Sequence, residues 1–256
     1  MKNPLKEKLK KGKAVTGTFV MIGHPDVTEW LSRVGFDWLL LDTEHSPTGY
    51  ETLQRMMQAM NGSGCVPIVR PQWNDQVAIK RILDIGAYGV LIPWVNSREE
   101  AEKAVSYCKY PPAGIRGWGP RRAGMFDDSY FKTANDEVLI TVQIETQEAL
   151  DNLDEILSVP GIDACYIGPW DLSVSLGIGV PPDWKAPKYV AAFDRVLEAA
   201  AKHNKPAGMF CVSDNIEWAL KKGFKYNTVD ADDFFLMRSA RAVVAQARKA
   251  AEKSGR

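Results

Sequence analysis

The sequence predicts an α/β fold, a single (β/α)8 TIM barrel over residues 1–256. Three observations carry that expectation. The length of 256 residues and the 45% apolar content suit one barrel domain with a sizeable core. Eight short apolar runs bounded by turn residues recur along the chain. Most of the segments between them repeat apolar residues at three-to-four spacing, as amphipathic crossover helices do.

The runs are Val15–Met21, Trp38–Asp42, Val66–Arg70, Gly89–Pro93, Val138–Ile144, Ala164–Ile167, Pro206–Phe210 and Tyr226–Val229. Residues 1–13 precede them as a basic segment that lacks the continuous apolar core of a signal peptide. Trp38-Leu39-Leu40-Leu41 is apolar without alternation, as a parallel strand covered on both faces should be. Leu53, Met56, Met57 and Met60 then repeat with helical spacing. Val66-Pro67-Ile68-Val69 ends in Arg70, Pro71 fixes the chain exit, and Ile79, Ile82 and Leu83 mark the next helix. Val138–Ile144 and Ala164–Ile167 each lead into an acid, Glu145 and Asp171. Two long Gly/Pro-rich connections, Tyr110–Glu137 and Leu172–Lys188, are both expected on the face that bears the strand carboxyl ends. A carboxyl-terminal helix over residues 239–256 closes the chain. Trp30, Trp38 and Trp218 are expected in the core, and Trp94, Trp118 and Trp170 on the active face.

Composition narrows the function. Thirty-two basic residues balance 32 acidic ones, so no net field favours nucleic acid. Cys65, Cys108, Cys165 and Cys211 are scattered, without the spacing of a zinc or redox motif. No window approaches the roughly 18 apolar residues of a membrane span. The expectation is a cytoplasmic protein acting on a small molecule.

Strand carboxyl ends build the active site of such barrels. Glu145 and Asp171, at neighbouring strand ends, suit a hard divalent cation that prefers oxygen and keeps positions open for substrate. Each could instead cap the helix or loop that follows it. Asp42-Thr43-Glu44-His45 delivers two acids and an imidazole to the same rim, where His45 suits acid–base work; a structural loop histidine is the alternative. Arg70 can stabilise a carboxylate or a developing enolate there, or pair with Glu44 or Glu145 as scaffold. The amides after Gly168-Pro169 can take an anion. Gly114–Gly119 with Arg121-Arg122 fits neither phosphate-loop pattern and reads as a lid or subunit contact, with Arg116 or Arg121 available to an acidic substrate tail. None of the expected strands ends in a lysine, which disfavours an imine mechanism.

Taken together, DTEHSP (Asp42–Pro47), VRP (Val69–Pro71), LDIGAYGVLIPWV (Leu83–Val95), YPPAGIRGWGP (Tyr110–Pro120), QIET (Gln143–Thr146) and GPWDLS (Gly168–Ser173) resemble the HpcH/HpaI family of class II pyruvate aldolases, from about Gly17 to Asp232. The resemblance implies a barrel of the phosphoenolpyruvate/pyruvate-domain type and reversible cleavage of a 4-hydroxy-2-oxo acid to pyruvate and an aldehyde through a metal-bound pyruvate enolate. It gives Glu145 and Asp171 the metal, Mg2+ or Mn2+ with Co2+ or Zn2+ as alternatives. His45, supported by Asp42, is the acid–base group acting through a metal-bound water, and Arg70 stabilises the enolate. Gln143 holds a water near the metal, and the Gly168-Pro169-Trp170-Asp171 turn takes the pyruvate carboxylate. Asp84 matches an acid lent to the neighbouring subunit, which implies a homo-oligomer, a hexamer of swapped dimers, with the carboxyl-terminal helix available for the exchange.

Two places depart from the pattern: Trp170 stands where relatives often carry a small residue, narrowing the aldehyde end, and Tyr226–Asp232 is unusually polar for a last strand. Readings that remain open are a citrate- or malyl-CoA-type lyase, an oxaloacetate decarboxylase, and a non-catalytic keto-acid-binding paralogue.

Overall fold

The computed structural model describes residues 1–254. Eight parallel strands close in sequence order into a barrel: β1 (Val15–Val20), β2 (Trp38–Asp42), β3 (Val66–Arg70), β4 (Gly89–Ile92), β5 (Leu139–Ile144), β6 (Ala164–Ile167), β7 (Ala207–Cys211) and β8 (Tyr226–Ala231). Closure comes from β1 pairing with β8. Every residue of β2, β3, β4, β5 and β6 is buried, because the barrel interior covers one face and the helical layer the other.

The interior is filled by side chains, chiefly Trp38, Leu40, Ile68, Leu91, Tyr166 and Tyr226. Trp38 and Tyr226 stack at 4.4 Å between ring centroids. Gly17 makes that possible, since a Cβ there would lie 2.6 Å from the Trp38 indole. The basic amino-terminal segment contains a helix, Pro4–Lys10, capped by the Asn3 side chain; Leu5 and Leu9 of this helix join the interior cluster from the side of the strand amino ends.

The polarity of β8 has a structural reason. Asn227 bonds the Met209 amide and the Phe224 carbonyl, Thr228 pairs with the Tyr166 hydroxyl, and Asp230 pairs with Arg238 at 2.8 Å. Asp232 accepts the amides of Met21 and Ile22 at 2.8 and 2.9 Å, tying the end of β8 to the exit of β1. A register shift between Gly17 and Phe19 and a φ of 54° at Asp230 mark a bulge at this closure.

Three expectations are corrected. The connection Tyr110–Glu137 lies on the face of the strand amino ends, because the helix Arg98–Cys108 has already carried the chain away from the end of β4. There it meets Asn3, whose side chain bonds Glu137 O and Tyr88 O, and it sends Arg122 to Ile85 O. Trp118 goes with it, away from the active face. Trp30 is 66% exposed rather than in the core, while Trp38 is buried and Trp218 packs partly buried against the core. The last helix starts earlier than expected and spans Asp232–Lys253; residues 255–256 of the expected range lie outside the described residues. No helix among the described residues is long and apolar enough to cross a membrane.

Candidate active site

At the rim where β2 and β3 end, Asp42 and Arg70 are register partners. Arg70 Nε donates to Asp42 Oδ1 at 2.7 Å, and its Nη1 lies 3.1 Å from Glu44 Oε2 as an ion pair without a well-aligned hydrogen bond. The guanidinium also rests over the Phe19 ring, 5.0 Å from its centroid. Burial opposes the charge of Arg70, but Asp42, Glu44 and Glu145 outweigh it and raise its pKa above the ordinary value. The arginine therefore stays protonated, with its scaffold role and its place in the site combined in one side chain.

Asp42 shapes the turn after β2 by accepting the backbone amides of Glu44 at 3.2 Å and His45 at 3.1 Å. Its support of His45 runs through the backbone. The imidazole instead faces Glu44, with Nε2 3.7 Å from Oε2, and is 55% exposed. Burial raises the Glu44 carboxyl pKa, and Arg70 and His45 partly offset this.

A second group forms where β4, β5 and β6 end. Glu145 is buried, with Oε1 accepting the Trp94 amide at 2.9 Å and Oε2 bonded to Gln143 Nε2. The helix after it is capped by Thr146, whose Oγ1 accepts Ala149 N at 2.9 Å, so Glu145 is not the cap. Trp94 holds φ at 54°, a costly conformation for a large side chain, and thereby aims its N–H at Glu145. Gly168 borders the same carboxylate: a Cβ there would sit 2.6 Å from Gln143 Nε2. The helix Pro169–Ser175 begins here with Asp171 in its first turn and no side chain capping its amides.

Burial pushes the Glu145 carboxyl up to about 8, with the charges of Asp171 and Glu44 adding to the effect against the Trp94 amide. Among the described residues, no three His, Cys, Asp or Glu side chains form a preformed metal cage. The donor set nevertheless fits a hard divalent cation. Glu145 and Asp171 offer carboxylate oxygens whose charges oppose one another, and the buried Gln143 Oε1 has no hydrogen-bond partner among the described residues. A cation relieves both conditions.

His45, Arg70, Gln143, Gly168, Trp170 and Asp171 open onto one cavity of about 270 Å³. Its remaining wall was not singled out from the sequence: Phe19 and Met21 at the β1 end, Phe210 from β7, and Asp233 and Phe234 after β8. The four apolar residues carry no chemical signature of their own, and only the barrel geometry gathers them with Asp233. Asp84 lies elsewhere, at the far end of the helix Gln76–Asp84, and pairs with Arg116 at 2.8 Å. Arg116 is itself buried, between Asp84 and the Tyr110 ring, so it is structural and does not meet a substrate tail. Arg121 is exposed on the same far face.

Sequence and structure comparisons bear on this arrangement. A family model described as HpcH/HpaI aldolase/citrate lyase matches residues 15–238. The chain is 39% identical over 251 residues to a 4-hydroxy-2-oxo-heptane-1,7-dioate aldolase of Salmonella dublin, covering 96% of this chain and 95% of that protein. It superposes with a TM-score of 0.89 on the HpcH/HpaI aldolase from Desulfitobacterium hafniense DCB-2, at 31% identity and covering 95% and 96% of the two chains. A family protein from Burkholderia cenocepacia J2315 gives a TM-score of 0.91 at 29% identity, covering 96% and 99%. With the match spanning all eight strands, the chain belongs to the HpcH/HpaI aldolase/citrate lyase family.

Proposed function

We propose that the protein is a metal-dependent aldolase that reversibly cleaves a 4-hydroxy-2-oxo acid into pyruvate and an aldehyde. The observation that carries this reading is the meeting of two unlike groups at one cavity: Gln143 and Asp171, with the buried Glu145 behind them, and Arg70 and His45, braced by Glu44. Glu145 and Asp171, with Gln143 beside them, would hold a Mg2+ or Mn2+ ion, or Co2+ or Zn2+. When bound, the ion supplies Lewis-acid polarisation of the 2-keto group.

In the cleavage direction the C4 hydroxyl loses its proton, the C3–C4 bond breaks, C4 becomes the aldehyde carbonyl, and the electron pair passes to the pyruvate enolate. Protonation at C3 then gives pyruvate. His45, half exposed at the rim and facing Glu44, moves the hydroxyl proton. Arg70, held charged by Asp42 and Glu44, stabilises the negative charge that develops on the enolate. Asp42 is a positioning residue: it fixes both the guanidinium and the turn that carries His45. Gly168 and Pro169 open the helix whose uncapped amides at Trp170 and Asp171 receive the substrate carboxylate.

The assembly is part of the same reading. Asp84 is remote from its own cavity, and the long last helix leaves Leu236, Met237, Val243 and Val244 exposed, which supports a homo-oligomer in which this helix packs on, or is exchanged with, a second copy.

The test is proton NMR of pyruvate in D2O. The methyl protons should exchange with Mg2+ or Mn2+ present and stop exchanging after chelation. Glu145→Gln should abolish the exchange, and full exchange in that variant would remove the metal assignment.

A further inference from the structure

Resting on the aldolase reading above, we infer that the partner aldehyde is uncharged and apolar or aromatic, selected by the aromatic wall of the same cavity. Phe210 is the hub of that wall. Its ring meets Trp170 at 5.0 Å, Phe19 at 5.4 Å and Phe234 at 6.3 Å, each edge to face. This packing fixes the rings in orientation and presents an apolar surface to whatever enters beside pyruvate.

Charge points the same way. Among the described residues lining the cavity, the basic ones are His45 and Arg70, and Arg70 is already committed to Asp42 and Glu44. The nearest further cation on the last helix, Arg238, is drawn to Asp230 at 2.8 Å and lies over the Phe235 ring. The acid on this wall, Asp233, forms no ion pair among the described residues. An aldehyde with a carboxylate tail would lose hydration against aromatic rings, meet no free cation and face Asp233. The cavity of about 270 Å³ lies just below the roughly 300–1,000 Å³ usual for small-molecule sites, so the aldehyde is also short.

Aldol addition of pyruvate with Mn2+ tests the inference, with kcat/KM compared for pentanal, benzaldehyde and the acidic 4-oxobutanoate. The apolar aldehydes should be favoured by roughly tenfold or more. Asp233→Asn should raise the value for 4-oxobutanoate severalfold relative to that for benzaldehyde, while Phe234→Ala should lower benzaldehyde. Equal or better use of 4-oxobutanoate overturns the inference. Metal-dependent methyl exchange of pyruvate measured alongside separates the two failures: if exchange persists, the aldolase reading stands and this inference alone falls; if exchange is absent, both fall.

Discussion

Glu145 combines burial with two acidic neighbours, so its folded-state pKa of about 8 stands well above the unfolded value near 4.5. The folded protein then keeps a proton that the unfolded chain has released, and metal-free stability falls as pH rises from about 4.5 through 8. The Tm of chelated protein should accordingly be higher at pH 5 than at pH 8, and Mn2+ should raise it most at pH 8. Glu145→Gln should flatten both dependences; thermal scans of the two proteins decide. Arg70→Lys keeps a charge but cannot hold Asp42 and Glu44 together, so the pyruvate exchange rate should drop on the order of 10²-fold with the fold intact. At this scale the sequence showed Asp42, Glu44, His45, Arg70, Glu145 and Asp171 at one rim, because each sits at a strand end beside apolar residues. It did not show that Glu44, rather than Asp42, faces the imidazole, since that depends on rotamers set by Arg70.

Strands and turns explain why these side chains hold their places. The site straddles the ends of β4, β5 and β6, where Trp94 N–H, Glu145 and Gly168 fit against one another. Gly168→Ala forces a methyl into the Glu145–Gln143 pair, with an expected destabilisation of about 1–3 kcal/mol by urea unfolding and loss of metal-dependent turnover. β2, β3 and β6 match their sequence-derived bounds residue for residue, because continuous apolar runs end there at a charged or turn residue. The connection Tyr110–Glu137 was placed on the wrong face for an equally physical reason. Its Gly and Pro content resembles that of an active-site loop, and only counting the helix Arg98–Cys108 before it shows which end of the barrel it occupies. Trp30 is a further case: a large aromatic ring suggests the core, but this one lies on the exposed face of the helix Pro25–Leu31.

Across the whole molecule, the pair Asp84–Arg116 anchors the far face to the helix Gln76–Asp84, with the guanidinium fully buried. Asp84→Asn leaves that charge without a counterion, at a cost of about 3–5 kcal/mol seen as a lower urea midpoint. Trapping a second copy's site would add a loss of turnover beyond the loss of stability, measurable by mixing Asp84→Asn with Glu145→Gln protein and looking for recovered activity. The cavity also divides by labour: the polar groups His45, Arg70, Gln143 and Asp171 come from β2, β3, β5 and β6 and the segments that follow them, and the aromatic wall from β1, β7 and the helices after β6 and β8. Because the barrel closes through β1 and β8, the aromatic contributors are contiguous around the ring. Evolution, or a mutagenesis library confined to that arc, can therefore retune which aldehydes are accepted while the residues proposed for proton transfer and enolate formation keep their identities.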